Sequence, residues 1–348
     1  MLNDRIEARW LAAFRRVFEL CKVEPEQQVA ILAETQSREL SVELARLALE
    51  QMQASVFEIT VPTPSQTAPV PIRSTGASQA LNGQSAALEA LKSASLVVDL
   101  TVEGLLHASQ LPAILGSGAR VMMISNEHPE ALERLVPEAG DEQIARAAIK
   151  ACRGAGGMHV TSAAGTDLSI SLADARTGGV WGWADRAGMV SHWPGGIVVN
   201  FPQPGSVNGR LVMDVGDVNL TFKRYLEQPV ELIIEDDFVV AVNGDGTDAE
   251  LMRRYLAAWG DREAYGVSHV GWGLNERARY EALTMYDRRD FNGTELRAFA
   301  GNFLYSTGAN ELAGRFTEGH FDLPIRNCTI ELDGTVVVDA GRVVVQAS

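Results

Sequence analysis

Short apolar runs alternate with segments of helical periodicity in the first 125 residues, and this alternation restricts the possible folds more than any other feature. The apolar runs are predicted strands: Val29–Ala33, Val56–Val61, Leu96–Leu100 and Arg120–Ser125. Helical spacing marks Arg5–Cys21, Ser41–Met52, Ala86–Lys92 and a short segment before Gly116. Strands joined by helices favour a parallel sheet covered on both faces. We therefore predict a doubly wound α/β domain, with a loop over the Pro-, Ser- and Thr-rich stretch Pro62–Gly76.

The pattern changes after residue 157, where predicted strands predominate. The segment Gly154-Ala-Gly-Gly157 lacks the spacing and the Lys of a phosphate-binding loop, so we interpret it as a linker. It divides the chain into residues 1–156 and residues 157–348. The predicted strands of the second part are Met158–Ser162, Leu168–Leu172, Gly196–Asn200, Gly209–Val215, Val230–Ile234 and Phe238–Val242. We predict that this part is an α+β catalytic domain.

Two local signals support that prediction for the second part. Thr247-Asp-Ala-Glu250 has the spacing of a capping box and predicts a helix that runs to Trp259. Asp333-Gly334 stands between the apolar runs Thr329–Leu332 and Thr335–Val338, which predicts a β-hairpin.

Charge and cysteine content exclude several classes of protein. Acidic residues outnumber basic ones by 45 to 30, and the formal net charge is −15. Such a surface repels nucleic-acid phosphates and anionic lipids, so we expect neither as a partner. The apolar runs are too short to span a bilayer. The three cysteines are far apart and odd in number, which argues against a disulfide framework and favours a cytoplasmic location.

Two histidine motifs are candidates for metal binding. In a strand, His320 and Asp322 would point to the same face and could hold one ion, although a polar pair without a metal is the commoner case. His269 lies among glycines and apolar residues in Tyr265–Gly273. It is either a buried, hydrogen-bonded histidine or a third ligand. Two histidines and one carboxylate form a set that binds Fe(II) and leaves positions open for substrate and dioxygen. Spacing alone does not decide between these alternatives.

A resemblance adds to this reading of the residues. The sequence resembles the 2,5-dihydroxypyridine 5,6-dioxygenases, the Fe(II) ring-cleaving enzymes of bacterial nicotinate and nicotine catabolism. The resemblance rests on six segments: Leu96–His107, Ser191–Gly196, Leu211–Val218, Tyr265–Leu283, Arg297–Asn310 and Gly319–Gly334. It implies that His269, His320 and Asp322 are the iron ligands. It further implies that His107 and His192 line the substrate pocket.

The chain is also similar to the M29 metallo-aminopeptidases, which carry two metal ions in a related C-terminal domain. Their motifs contain a Glu where Ile197 and His269 stand here, and a His where only Phe303 or Leu304 is available. Apolar groups at these positions remove the ligands and the charge that hold two dications close together. The resemblance therefore implies an M29-like fold with one metal ion, and redox chemistry rather than peptide hydrolysis.

Five residues are candidates for the substrate pocket. His192, within Ser191-His192-Trp193, is a candidate general base, and Trp193 could stack on a flat heteroaromatic ring; a structural role in a Pro/Gly loop is the alternative. Ser306 and Thr307 could donate hydrogen bonds to substrate oxygens, or could belong to a turn. His107, our candidate helper to His192, follows a predicted strand end, where α/β sheets place ligands; a surface position is equally compatible.

The sequence thus leads to an expected function with two alternatives. We expect an Fe(II)-dependent, extradiol-type dioxygenase that converts 2,5-dihydroxypyridine and O₂ to N-formylmaleamate and forms a homo-oligomer, either a dimer or a hexamer. One alternative is an M29-type metallo-aminopeptidase, which the missing carboxylates oppose. The other is a non-catalytic small-molecule binding protein on the same scaffold, which the presence of all three ligand residues opposes.

Overall fold

The structure is a computed structural model that describes residues 3–65 and 78–344. Most of the predicted loop Pro62–Gly76 therefore lies outside the described residues. The helices are α1 (Ala8–Leu20), α2 (Glu39–Gln51), α3 (Ser85–Ser93), α4 (Leu111–Gly116), α5 (Pro129–Arg134), α6 (Ala139–Arg153), α7 (Thr247–Ala258), α8 (Ala282–Met285) and α9 (Thr294–Ala298). None of these described helices has the length and apolar character needed to cross a membrane.

The strands are short and most of them lie in the second half of the chain. They are β1 (Gln28–Glu34), β2 (Ser55–Val61), β3 (Leu96–Leu100), β4 (Arg120–Ile124), β5 (Gly157–Ser162), β6 (Asp167–Ser171), β7 (Arg176–Val180), β8 (Val190–Trp193), β9 (Ile197–Phe201), β10 (Val207–Met213), β11 (Val218–Asn219), β12 (Arg224–Tyr225), β13 (Val230–Glu235), β14 (Phe238–Asn243), β15 (Val267–Gly273), β16 (Phe303–Asn310), β17 (Arg315–Ile325), β18 (Cys328–Leu332), β19 (Thr335–Asp339) and β20 (Arg342–Val343).

The predicted parallel sheet is confirmed. Its strands pair in the order β2-β1-β3-β4-β8, and every pairing is parallel. Alternate residues of β1 enter two different cores. Val29 and Ile31 pack in the cluster that contains α1 and α2, whereas Ala30 and Leu32 pack in the cluster that contains α3 and α4. Helices therefore cover both faces, which is why the inner strands β1, β3 and β4 are mostly apolar along their length rather than alternating.

Strand β8 joins this sheet from the second half of the chain. It pairs with β4, and His192 stands beside Met123 in the register. The sequence of β8, Val-Ser-His-Trp, has no apolar alternation because it is buried on both sides, and we did not predict a strand there. The domain boundary between residues 156 and 157 stays a prediction. Strand β8 follows this boundary in the sequence but pairs with β4, which precedes it.

Two antiparallel sheets make up most of the second half. The larger has the order β14-β13-β10-β6-β5-β18-β19-β20, and the predicted hairpin at Asp333-Gly334 connects β18 to β19. The smaller has the order β17-β16-β15-β9-β7. The predicted capping box of α7 is wrong, because its N-cap is Gly246 and Asp248 instead accepts hydrogen bonds from the backbone of Glu227 and Gln228.

Candidate metal centre and substrate cavity

The smaller antiparallel sheet positions the three predicted metal ligands. His320 and Asp322 alternate along β17 and therefore share one face. His269 lies on β15, where the pairing with β16 changes register between Val267 and Val270, so that β15 contains one extra residue. Such a bulge re-aims side chains. The bulge directs the side chain of His269 towards the side chains of His320 and Asp322.

A glycine keeps the intervening strand close to β17. Gly308 pairs with His320 and has a φ of +108°, a conformation that favours glycine. A Cβ atom here would come within 1.8 Å of the carbonyl oxygen of Gly319. The glycine in the motif Ser306-Thr-Gly308 is thus required by the close approach of the two backbones.

The donor atoms of the three residues converge on one point. The Oδ1 atom of Asp322 lies 3.2 Å from Nε2 of His320 and 3.7 Å from Nε2 of His269. All three side chains are buried. The Nδ1 atoms of both histidines are buried without a hydrogen-bond partner among the described residues, so neither ring is committed to another contact.

The pKa shifts of His269 and Asp322 suit the binding of a cation. Burial lowers the pKa of His269 to about 3, so its imidazole is neutral and able to coordinate. Burial alone would raise the pKa of Asp322. The charges of His320 and Arg297 outweigh that effect and hold its pKa well below the usual range, so the carboxylate is ionised.

The donor set also passes a simple geometric test for one metal ion. Metal–nitrogen and metal–oxygen bonds of about 2.1 Å separate neighbouring ligand atoms by about 3.0–3.4 Å. The distances of 3.2 and 3.7 Å around Asp322 are near this range. Two imidazoles and a carboxylate, with a cavity beside them, fit a non-haem Fe(II) site.

His107 reaches the same place from the parallel sheet. It lies in the loop after β3, its ring is centred 4.8 Å from that of His320, and it stacks on His269 with centroids 6.3 Å apart. Ligand nitrogens of these three histidines lie within 4.8 Å of one another, so His107 forms a second possible donor set with them. Its Nδ1 atom lies 3.7 Å from Oε1 of Glu311. Because Glu311 lies on the Nδ1 side of the ring, Nε2 is the nitrogen of His107 that is available to a molecule in the cavity.

A cavity of about 270 Å³ adjoins the converging donors, and most of its lining is apolar. His107, His192, His269, His320 and Asp322 all line it, so the structure brings all five together. The other lining residues come from both halves of the chain: Glu103, Leu106, Met123, Gly179, Val180, Val190, Ile197, Val199, Phe201, Asn292, Thr294, Arg297 and Leu304. Among them, Ile197 and Leu304 are two of the apolar residues that we predicted in place of metal-binding side chains.

The tautomer of His192 is fixed by its surroundings. Its Nδ1 atom lies 2.5 Å from the carbonyl oxygen of Pro194, and a carbonyl only accepts, so Nδ1 carries the proton. The lone pair is then on Nε2. Burial lowers the pKa of His192 to about 4, so the ring is neutral near pH 7. His192 is therefore able to accept a proton in the cavity.

Three candidate substrate contacts lie elsewhere than we expected. Trp193 does not line the cavity: it is fully buried in the core against Phe14, and its indole nitrogen donates to the carbonyl oxygen of Leu135. The hydroxyl of Ser306 donates to Oδ1 of Asp322, so it orients a ligand residue. Thr307 follows Ser306 in the same strand and consequently points to the opposite face of the sheet.

Sequence reasoning missed four polar residues of the cavity: Glu103, Asn292, Thr294 and Arg297. Arg297 contacts a predicted metal ligand. Its Nε atom donates to Oδ2 of Asp322. The segment Arg297-Ala-Phe-Ala-Gly-Asn302 contains no metal-ligand spacing and no second charged residue, so no pattern marked it. Only the fold brings α9 against β17.

Comparisons with known proteins show which family the chain resembles in sequence. The sequence profile of the 2,5-dihydroxypyridine 5,6-dioxygenase (NicX) family matches residues 9–345. A relative from Pseudomonas putida KT2440, named 2,5-dihydroxypyridine 5,6-dioxygenase, is 38% identical over 335 residues, which cover 95% of each chain.

Two solved structures share the fold. A 2,5-dihydroxypyridine dioxygenase from Pseudomonas putida KT2440 matches with a TM-score of 0.92 and 36% identity, over 99% of each chain. Wild-type AmpT from Thermus thermophilus matches with a TM-score of 0.65 and 17% identity, over 97% of this chain and 99% of its own. The second likeness concerns the fold alone.

Proposed function

This chain belongs to the 2,5-dihydroxypyridine 5,6-dioxygenase family and is an oxidoreductase of the dioxygenase class, and from this premise we propose its substrate, cofactor and product. The substrate is 2,5-dihydroxypyridine, which is cleaved between C5 and C6 in an extradiol-type reaction. Both oxygen atoms of O₂ enter the product, N-formylmaleamate. The supporting observation is the convergence of two Nε2 atoms and one carboxylate oxygen, on His269, His320 and Asp322, at a cavity that also holds two further histidines.

The proposed cofactor is one Fe(II) per chain, held by His269, His320 and Asp322. When bound, Fe(II) acidifies the hydroxyl that coordinates it and couples the ring electronically to dioxygen. Ser306 and Arg297 each donate to a different oxygen of Asp322, which leaves Oδ1 directed at the histidines and fixes the carboxylate. His107 remains outside the proposed ligand set.

The chain itself supplies proton transfer and exclusion of water. His192 accepts the proton of the 5-hydroxyl at Nε2, and Nδ1 stays bonded to the carbonyl oxygen of Pro194, which orients the ring. His107, on the other wall, assists as a second acceptor and donor. The apolar side chains Ile197, Val199 and Phe201 pack around the ring plane and keep bulk water from the reacting carbon atoms.

Oxygen consumption tests this proposal directly. Protein freed of metal is reconstituted with Fe(II) under anaerobic conditions and mixed with oxygenated buffer and a panel of hydroxypyridines. We expect uptake of one O₂ per 2,5-dihydroxypyridine and none with the Zn(II)-loaded protein. Absence of uptake, or aminopeptidase activity with cobalt or zinc, would contradict it and favour the M29-type alternative.

Two broader properties accompany the proposal. A homo-oligomer, either a dimer or a hexamer, follows from the resemblance and from exposed segments that mix aromatic and charged residues; sedimentation of a monomer at micromolar concentration would contradict it. A cytoplasmic location is supported by Cys21, Cys152 and Cys328, which are all free and buried. Fractionation of the native host tests the location.

A further inference from the structure

Arg297 is the sole arginine or lysine among the residues that line the cavity. Its guanidinium carries one hydrogen bond in the described part of the chain, from Nε to Oδ2 of Asp322. A guanidinium has five N–H donors in a fixed fork. Donors on its two Nη atoms thus remain for a molecule in the cavity.

The position of this guanidinium is built into the fold. Arg297 lies on α9, and the backbone N–H groups of Gly293 and Thr294 at the start of α9 both donate to Oε1 of Glu127, at 3.1 Å. Glu127 is fully buried and follows β4 of the parallel sheet. The start of α9 is therefore tied to the other half of the chain.

A second buried carboxylate, Glu295 of α9 itself, also binds the first half of the chain. Glu295 is fully buried and accepts two hydrogen bonds of 2.8 Å from Arg134 of α5, in bidentate geometry. It also accepts from the backbone N–H of Arg279. Two buried carboxylates thus fix five residues of α9, and the guanidinium of Arg297 is held in place before any ligand binds.

The substrate presents an oxygen that needs such a partner. The two oxygens of 2,5-dihydroxypyridine lie on opposite sides of the ring, so one metal ion cannot bind both. With the 5-oxygen at the converging donors, the 2-oxygen points away from them and accepts hydrogen bonds. A cationic fork in the cavity wall is the strongest donor for an oxygen of this kind.

We propose that Arg297 binds the oxygen at C2 of the hydroxypyridine through its Nη donors, while Nε holds Asp322. This inference rests on the proposed function and deepens it, because it assigns the residue that selects a ring with two oxygens. One side chain then links the orientation of the ligand carboxylate to the recognition of the substrate.

Two simpler pyridines separate the two ends of the substrate. 2-Hydroxypyridine keeps only the C2 oxygen, and 3-hydroxypyridine keeps only the oxygen that corresponds to C5. Their binding to the metal-free protein is measured by isothermal titration calorimetry, so the readout does not depend on turnover. The variants are Arg297→Met and Arg297→Lys, with Arg254→Met as a matched control on an exposed arginine of α7 that pairs with Glu250.

We expect Arg297→Met to weaken binding of 2-hydroxypyridine by about 10- to 100-fold, the loss of one charge-assisted hydrogen bond, and to change binding of 3-hydroxypyridine by less than about twofold. Arg297→Lys should recover part of the loss, and Arg254→Met should match wild type. In the iron-loaded enzyme, Arg297→Met should raise KM for 2,5-dihydroxypyridine and remove the preference over 3-hydroxypyridine. Equal weakening of both probes, or unchanged binding of 2-hydroxypyridine, would overturn the assignment. Iron-loaded wild type without oxygen uptake would instead overturn the proposed function.

Discussion

Replacement of His192 by asparagine separates a proton acceptor from a structural histidine. The Nδ2 group of asparagine occupies the place of Nδ1 and can still donate to the carbonyl oxygen of Pro194, but nothing replaces the basic Nε2 atom. We expect kcat to fall by about 10²- to 10⁴-fold, the usual contribution of general acid–base catalysis. Iron content and thermal stability near pH 7 should stay close to wild type.

The lowered pKa of His192 also predicts how much the free energy of unfolding depends on pH. Burial lowers the pKa of His192 to about 4, from an ordinary value of 6.5. The unfolded chain binds the proton first as pH falls, so stability present above pH 6.5 is lost as pH falls towards 4. At about 1.4 kcal/mol per pKa unit, the loss between pH 7 and pH 4 is about 3 kcal/mol. His192→Asn should lack this part of the acid destabilisation.

Two measurements check the reasoning. Urea unfolding should give similar free energies of unfolding for wild type and variant at pH 7, whereas at pH 4 the variant should be about 3 kcal/mol more stable than wild type. Single-turnover kinetics should show the loss in the ring-cleaving step. A His192→Asn enzyme with wild-type kcat would refute the role and transfer it to His107. Loss of iron would identify His192 as a ligand instead.

Three further predictions follow from the contacts of the site. His320→Ala should abolish iron binding and turnover without unfolding the protein, as measured by metal analysis and circular dichroism; two metals per chain in wild type would contradict the single-ion site. Ser306→Ala removes a hydrogen bond to Oδ1 of Asp322, so iron affinity should fall about 10-fold in a chelator competition. Unchanged affinity would show that Arg297 alone is enough to orient Asp322. Glu295→Gln breaks a buried ion pair with Arg134 and should lower the free energy of unfolding by about 3–5 kcal/mol in urea, whereas a loss below about 1 kcal/mol would mean that α9 is not anchored this way.

The sequence predicts well those parts of the molecule that carry a repeating pattern. The first four strands of the parallel sheet are rich in apolar residues and alternate with helices, and the structure places them within two residues of the predicted limits. His320 and Asp322 share a face because they alternate in one strand, and that relation is visible in the sequence.

Other parts depend on contacts that no local pattern encodes. Strand β8 is too short to show periodicity, so the opposite directions of His192 and Trp193 could not be inferred. The role of Ser306 depends on its register with Asp322 across two strands. Arg297 reaches the cavity because contacts of Glu127 and Glu295 anchor α9 against the first half of the chain. No recognisable sequence motif links either glutamate to Arg297.

Strand β8 has a consequence for synthesis on the ribosome. Until residues 190–193 have been made, β4 is an edge strand whose five residues are all destined for burial and whose outer backbone groups lack a partner. An apolar edge of this kind is a template for pairing with other chains. The nascent chain is thus exposed to aggregation while roughly the next 65 residues emerge, about 3–13 s at bacterial or eukaryotic elongation rates. The strand that closes this interval also carries His192 to the cavity, so the same step that protects the chain positions the candidate proton acceptor before the proposed metal ligands have been made.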